Sequence, residues 1–149
     1  MSLDNRPVNR KVTLSLLWTA MLFFYAYVDI FGFYRADIIQ GALAGRVPIA
    51  NLAIDQLFLV NATLYVTVPI LMIVVSLLIP AKINRWVNIV VAVLYAASVV
   101  ALAIGDPWHY YVLGSVFETI LLLGIAVLAW RWPRTGVDTL ADGRTSVTE

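Results

Sequence analysis

Residues 57–104 read LFLVNATLYVTVPILMIVVSLLI, then PAKINR, then WVNIVVAVLYAASVVALAI. A helix rising about 1.5 Å per residue needs about 20 apolar residues to cross a hydrocarbon core about 30 Å thick. Both flanks of this stretch meet that length, and the short link between them holds a proline and two cations, Lys82 and Arg85, that hydrocarbon does not accept. The stretch therefore reads as a helical hairpin. One span runs from Leu57 to Ile79 and is closed by Pro80; the next runs from Trp86 to Ile104 and is closed by Gly105. Working outward, the same length criterion is met by residues 12–33 on one side and by 110–132 on the other, where Pro133 ends the run. Asp106-Pro107 has the pattern of an N-cap followed by proline in the first turn, which starts the last helix a little before its apolar part.

The fold class expected from this pattern is all-α: a polytopic membrane protein, a bundle of four transmembrane helices. Its spans are 12–33, 57–79, 86–104 and 110–132, with an N-terminal tail over 1–11, a long loop over 34–56 and a disordered polar tail over 133–149. The composition agrees. Of 149 residues, 62% are hydrophobic and only 13% charged, against about 25% charged in a soluble domain. Within the long loop, Ile38, Ile39, Ala42 and Leu43 share a helical face opposite Arg35, Asp37 and Gln40, which predicts a short surface helix ending before Pro48.

Lys and Arg fall mainly on one side of the spans. Arg6, Arg10 and Lys11 precede the first, Lys82 and Arg85 lie between the second and third, and Arg131, Arg134 and Arg144 follow the fourth. The positive-inside rule then places both termini in the cytoplasm, in an inner or plasma membrane. The first span is too long for a secretory signal and lacks a small-residue cleavage site, so it is read as an uncleaved anchor.

Several function classes drop out. A net charge of +1 offers no concentrated basic surface for nucleic acid. The absence of cysteine removes thiol chemistry, and the lone histidine, His109, is weak support for a metal site, so no cofactor is expected. No nucleophile–base pair is recognisable by spacing, which disfavours an enzyme.

What remains is a small set of polar residues at membrane depth, where an unpaired polar group costs several kcal/mol. Asp29 and Asn61 lie level with one another, about seven residues from the middle of their helices toward the outside. Tyr25, Tyr65 and Ser98 lie deeper, while Tyr95 and Glu118 fall close to the midplane. Tyr25 with Asp29 and Asn61 with Tyr65 are four-residue pairs on a helix. If these faces converge, a polar path leads from the outer surface to Glu118. With no Lys or Arg at these depths, Glu118 is expected to be a neutral donor to Tyr95 or a backbone carbonyl, or to release its proton when a cation enters. Gly114 and Ser115, one turn outward, leave room for a ligand or for a close helix. Pro69 frees the carbonyl of Tyr65 from its helical bond. Ala92 with Ala96 and Ala97 with Ala101 are small residues at the spacing of close helix packing. Asn84-Arg85-Trp86 reads as a helix start whose arginine meets lipid phosphate.

Tyr27-Val28-Asp29-Ile30 with Gly32, the Pro69-Ile70-Leu71-Met72 run leading to Ser76, Asn84-Arg85-Trp86-Val87-Asn88-Ile89, Tyr110-Tyr111, Glu118 and Ala129-Trp130 together resemble a family of small prokaryotic integral membrane proteins with four helices, a domain of unknown function. The resemblance covers about residues 12–133 and supports the topology without implying an activity. The family pattern carries an acidic residue two positions before the proline, where this chain has Thr67, so of three such carboxylates only Asp29 and Glu118 are present.

The function expected is a small ligand- or cation-binding or transport protein whose outward-facing polar cavity centres on Glu118, assisted by Asp29, Asn61, Tyr65 and Tyr95. The alternative is an accessory membrane subunit that packs through the alanine face of the third span against a partner protein or a second copy. In either case the lipid bilayer is the standing partner.

Overall fold

The computed structural model describes residues 8–48 and 50–133. They form five helices: α1 (Arg10–Gly32), α2 (Ala36–Leu43), α3 (Gln56–Leu78), α4 (Ala81–Ala103) and α5 (His109–Trp130). The structure is all-helical among the described residues, and α1, α3, α4 and α5 are long and apolar enough to cross a membrane. The tail read as disordered lies, beyond Pro133, outside the described residues. α2 is the short helix that the loop periodicity predicts.

Two helix starts differ from the sequence reading. α4 begins at Ala81, directly after Pro80, rather than at Trp86. Lys82 and Arg85 are thus inside its first turns, where long aliphatic stems let charged ends leave the apolar layer. α5 begins at His109 with Trp108 as its N-cap, so Asp106 does not cap it. Asp106 instead accepts from the Trp108 backbone N–H at 2.8 Å and spends its carboxylate on Arg35. Asn9 and Asp55 do cap their helices, accepting from the backbone N–H groups of Lys11 and Phe58.

α5 packs against α4 and α1, and α1 packs against α3, while α3 meets α4 only lightly. The interior holds Leu14, Trp18, Met21, Met72, Leu122 and Ile125. Ala92 and Ala96 are buried as the small-residue spacing suggests, whereas Ala97 and Ala101 face outward. Only 11% of the apolar window of α3 is buried within the protein, and Leu59, Leu64, Leu71 and Leu78 stand exposed. A surface this apolar over whole helices suits lipid rather than water.

Near the Pro80 hairpin, a polar cluster closes the interior. The Trp18 indole N–H donates to Asn88 Oδ1 at 2.7 Å, and Ser76 Oγ donates to the same oxygen at 3.2 Å. Asn88 Nδ2 donates to the Asn84 backbone and side-chain oxygens at 2.9 and 2.6 Å, and Asn84 Nδ2 donates to the Ser76 carbonyl at 2.6 Å. All four side chains are fully buried, so α1, α3 and α4 are tied by bonds with no competing water. Asn84 is therefore a core residue rather than part of an interfacial anchor. Arg85 lies between the rings of Trp86 and Trp130, 5.5 and 5.1 Å from their centroids.

Charged side chains fasten both ends. At the hairpin end, Lys11 Nζ donates to the Leu77 and Ile79 carbonyls, and Arg10 donates to those of Leu128 and Arg131. Two cations of α1 thus satisfy the open carbonyls at the C-termini of α3 and α5, where the helix dipole also favours positive charge. At the opposite, α2-bearing end, buried Arg35 pairs with Asp37 at 2.7 Å and Asp106 at 3.1 Å and lies 4.9 Å from the Trp108 ring centroid. This joins the α1–α2 turn to the α4–α5 loop.

Replacing Asn88 by Leu strands the Trp18 and Ser76 donors, at about 1–3 kcal/mol for each buried group left unpaired. The denaturation midpoint of the purified protein should fall accordingly; a variant as stable as the wild type would show the cluster to be slack. Asp106→Asn should destabilise more than Asp37→Asn, because the Arg35–Asp106 pair is buried whereas Asp37 is 41% exposed. The Arg35 guanidinium holds the Asp37 carboxyl below its ordinary range. The stabilisation from that pair is therefore full above the ordinary carboxylate pKa and is lost as pH falls through the lowered value. Acid melting curves of Asp37→Asn should lack that increment.

Candidate functional site

Helical phase builds the site from two elements. α1 presents Tyr25 and Asp29 one turn apart, and α5 presents Tyr111, Ser115 and Glu118 at positions i, i+4 and i+7, all on one face. Where α1 and α5 meet, these five side chains line one small chamber of about 30 Å³, with Val99 and Leu102 of α4 among the apolar residues of its wall. A water molecule needs about 10–15 Å³ of such space, so the chamber has room for about two. Glu118 is only 3% exposed.

Toward the α2-bearing end the chamber adjoins a second space, a vestibule of about 280 Å³, with Val28, Asp29, Leu102 and Tyr111 in the walls of both. Arg35, Asp106 and Tyr110 line the vestibule, while Asp29 and Tyr111 belong to both spaces and form the throat between them. Asp29 is itself exposed there. In the other direction, Trp18, Met21, Leu122 and Ile125 are at most 2% exposed and pack the interior toward the hairpin end.

Arg35 holds both ion pairs found among the described residues, with Asp37 and Asp106. It therefore does not pair with Asp29, and no ion pair holds either Asp29 or Glu118 among the described residues. The expectation that Glu118 bonds Tyr95 is also corrected. The Tyr95 hydroxyl donates at 2.6 Å to the Tyr65 carbonyl, the one Pro69 frees from its helical bond. Ser98 Oγ donates to the Tyr95 carbonyl at 2.8 Å, and a hydroxyl has a single proton, so in the 2.6 Å contact between them the Tyr65 hydroxyl donates to Ser98. Both tyrosine protons are spent within this network, and no hydrogen bond joins Glu118 to Tyr95 among the described residues.

Of the residues singled out in the sequence, Glu118 and Asp29 come together in the chamber. Tyr65 and Tyr95 line a nearly closed space beside it, of about 10 Å³, whose walls include Tyr25 and Val99 of the chamber. Asn61 is exposed on α3 and reaches neither space. Tyr111 is the wall residue that polarity and depth alone passed over; its signal was its spacing from Ser115 and Glu118. Gly114 serves the close-helix role, since a Cβ there would overlap Val28 Cγ2 of α1, while Ser115 lines the chamber. On the far side of Val28 runs an apolar groove of about 370 Å³, with Phe24, Tyr27, Phe31 and Phe117 along it.

A family model described as a family of unknown function, DUF6326, matches residues 1–139. The chain belongs to DUF6326. No curated protein and no solved structure matches it. For this DUF6326 protein the chemistry must therefore be read from the site itself. The polar groups of the chamber are carboxyl and hydroxyl oxygens only, suited to holding a proton or a hard cation and lacking the nitrogen and sulfur ligands of soft-metal sites.

Because DUF6326 has no cysteine in this chain, single cysteines report access cleanly. Asp29→Cys should react with a water-soluble thiosulfonate in the folded protein, whereas Leu122→Cys should react at least about tenfold more slowly, since reactivity follows exposure of the thiolate. Equal rates would show that the vestibule does not end at the chamber.

Proposed function

We infer that this protein is a multi-pass protein of the cell membrane, both termini cytoplasmic, that binds a cation or protonatable ligand in an outward-opening polar cavity centred on Glu118. The observation that carries this reading is the meeting of buried Glu118 with Asp29 in one chamber that adjoins the vestibule. An ionisable group kept inside an apolar helix assembly with no countercharge is costly, and such groups mark ligand or proton sites. The orientation is supported by the gathering of Arg10, Lys11, Lys82, Arg85 and Arg131 at the end away from the vestibule. Tyr65 and Tyr95 act by fixing α3 to α4 beside the chamber, and Asn61 has no part in it.

The accessory-subunit reading has one observation in its favour, the outward-facing Ala97 and Ala101 on α4. It needs a partner released by bulky substitution at Ala101, recovered from native membranes.

Binding raises stability by RT ln(1 + [L]/Kd), about 2.7 kcal/mol at a hundredfold excess over Kd. Thermal melting of the purified protein against inorganic cations and small amines should show at least one ligand that raises Tm in the wild type. The same ligand should leave the monodisperse Glu118→Gln variant unmoved. Equal shifts in the two proteins, or none in either, would remove Glu118 as the centre of a site.

A further inference from the structure

The cavity reading leaves the class of ligand open, and the chamber's size, donors and charge narrow it. We propose that the chamber between Asp29 and Glu118 takes one small, hard, monovalent cation, of which Na+ is the type, in exchange for a proton on Glu118, and admits it from the vestibule alone. This rests on the Glu118-centred reading above and specifies its ligand.

Size comes first. A space of about 30 Å³ holds about two water-sized particles. Organic amines such as choline do not fit, and neither does Mg2+, which dehydrates reluctantly and keeps several waters. The donors come second. Tyr25, Asp29, Tyr111, Ser115 and Glu118 offer oxygen alone, which selects hard cations. Glu118 is 97% buried by its 3% exposure and faces the chamber. No side-chain hydrogen bond or ion pair among the described residues engages its carboxyl.

Charge decides between one and two positive charges. The titratable groups facing Glu118 are Asp29 and Tyr25 from α1 and Tyr111 from α5, with Tyr65 of α3 behind Tyr25; α4 brings Val99 and Leu102. None of these supplies a positive charge. The exchange is balanced: the Glu118 O–H bond breaks, the proton leaves through the throat, and the carboxylate electron pair turns to the incoming ion. A neutral acid becomes a neutral ion pair. A divalent ion would leave net charge in the apolar interior unless Asp29, exposed at the throat, were drawn in as well.

Access is one-sided for two reasons. The buried side chains of Trp18, Met21, Leu122 and Ile125 pack the interior on the hairpin side. Among the described residues of the vestibule wall the one cation, Arg35, is flanked by Asp37 and Asp106, so that triad carries net negative charge and does not repel an entering cation.

The test uses the full-length protein in nanodiscs, weakly buffered, with a pH indicator, and compares NaCl with choline chloride at equal ionic strength. Sodium should release about one proton per protein and choline none, and the apparent Kd for Na+ should rise up to tenfold for each pH unit lowered, because the ligand group must be deprotonated. Glu118→Gln should abolish the release. Asp29→Asn, at the exposed throat, should keep the release with weaker affinity, which holds the proposal to account even if the first variant fails to fold. Absence of sodium-specific proton release from the folded wild type overturns the proposal. If Ca2+ or an amine releases the proton instead, the ligand class is wrong and the Glu118-centred cavity stands. If no cation releases a proton or shifts Tm, both fall together.

Discussion

Hydrocarbon offers no partner to a hydrogen-bonding group, so every polar atom among these helices must be satisfied within the protein or stay charged and lonely at a cost. The structure answers that demand at three levels along its length. At the hairpin end Lys11 and Arg10 take up the carbonyls left open by α3 and α5. Just inside that end Asn88 gathers donors from α1 and α3, and in the middle Tyr95 takes the carbonyl that Pro69 releases. At the far end Arg35 is matched by two carboxylates. Among the described residues Arg85 Nε is buried without a partner between its two indole rings, and Glu118 and Asp29 stand out as carboxyls of the helix interior that no ion pair holds.

The same demand explains the shape of the interior. The paired clusters lie where helices must be held together, and they leave no room: Trp18, Ser76, Asn84 and Asn88 are fully buried. A chamber remains where α1 and α5 face each other through a tyrosine from each, a serine and two carboxyls. The close approach at Gly114 and Val28 sets that spacing. A bulkier residue at 114 would push the helices apart and change the chamber with them.

Length and hydropathy made the four long helices legible, and period made α2 so, because both depend on a residue's own neighbours. The Pro69 effect was legible for the same reason: the freed carbonyl is always four residues back. What could not be read depends on partners distant in sequence. Asp106 has the pattern of an N-cap, but Arg35, some seventy positions away, claims its carboxylate. Asn84 sits beside Arg85 and Trp86 and looks interfacial, yet the Ser76 carbonyl lies across a tight hairpin to receive it. Asn61 and Asp29 share a depth, but depth fixes height along the helix and not direction around it. Glu118 and Asp29 were identified as polar outliers; their meeting in one chamber needed the α1–α5 contact.

Val28 has a second consequence. Its side chain borders the chamber on one side and the outward apolar groove on the other. The partition between the two carboxyls and the surrounding acyl chains is therefore a single layer of side chain. Val28 is thus the one side chain common to the groove and the chamber, and a change of its rotamer would alter the shape of both at once.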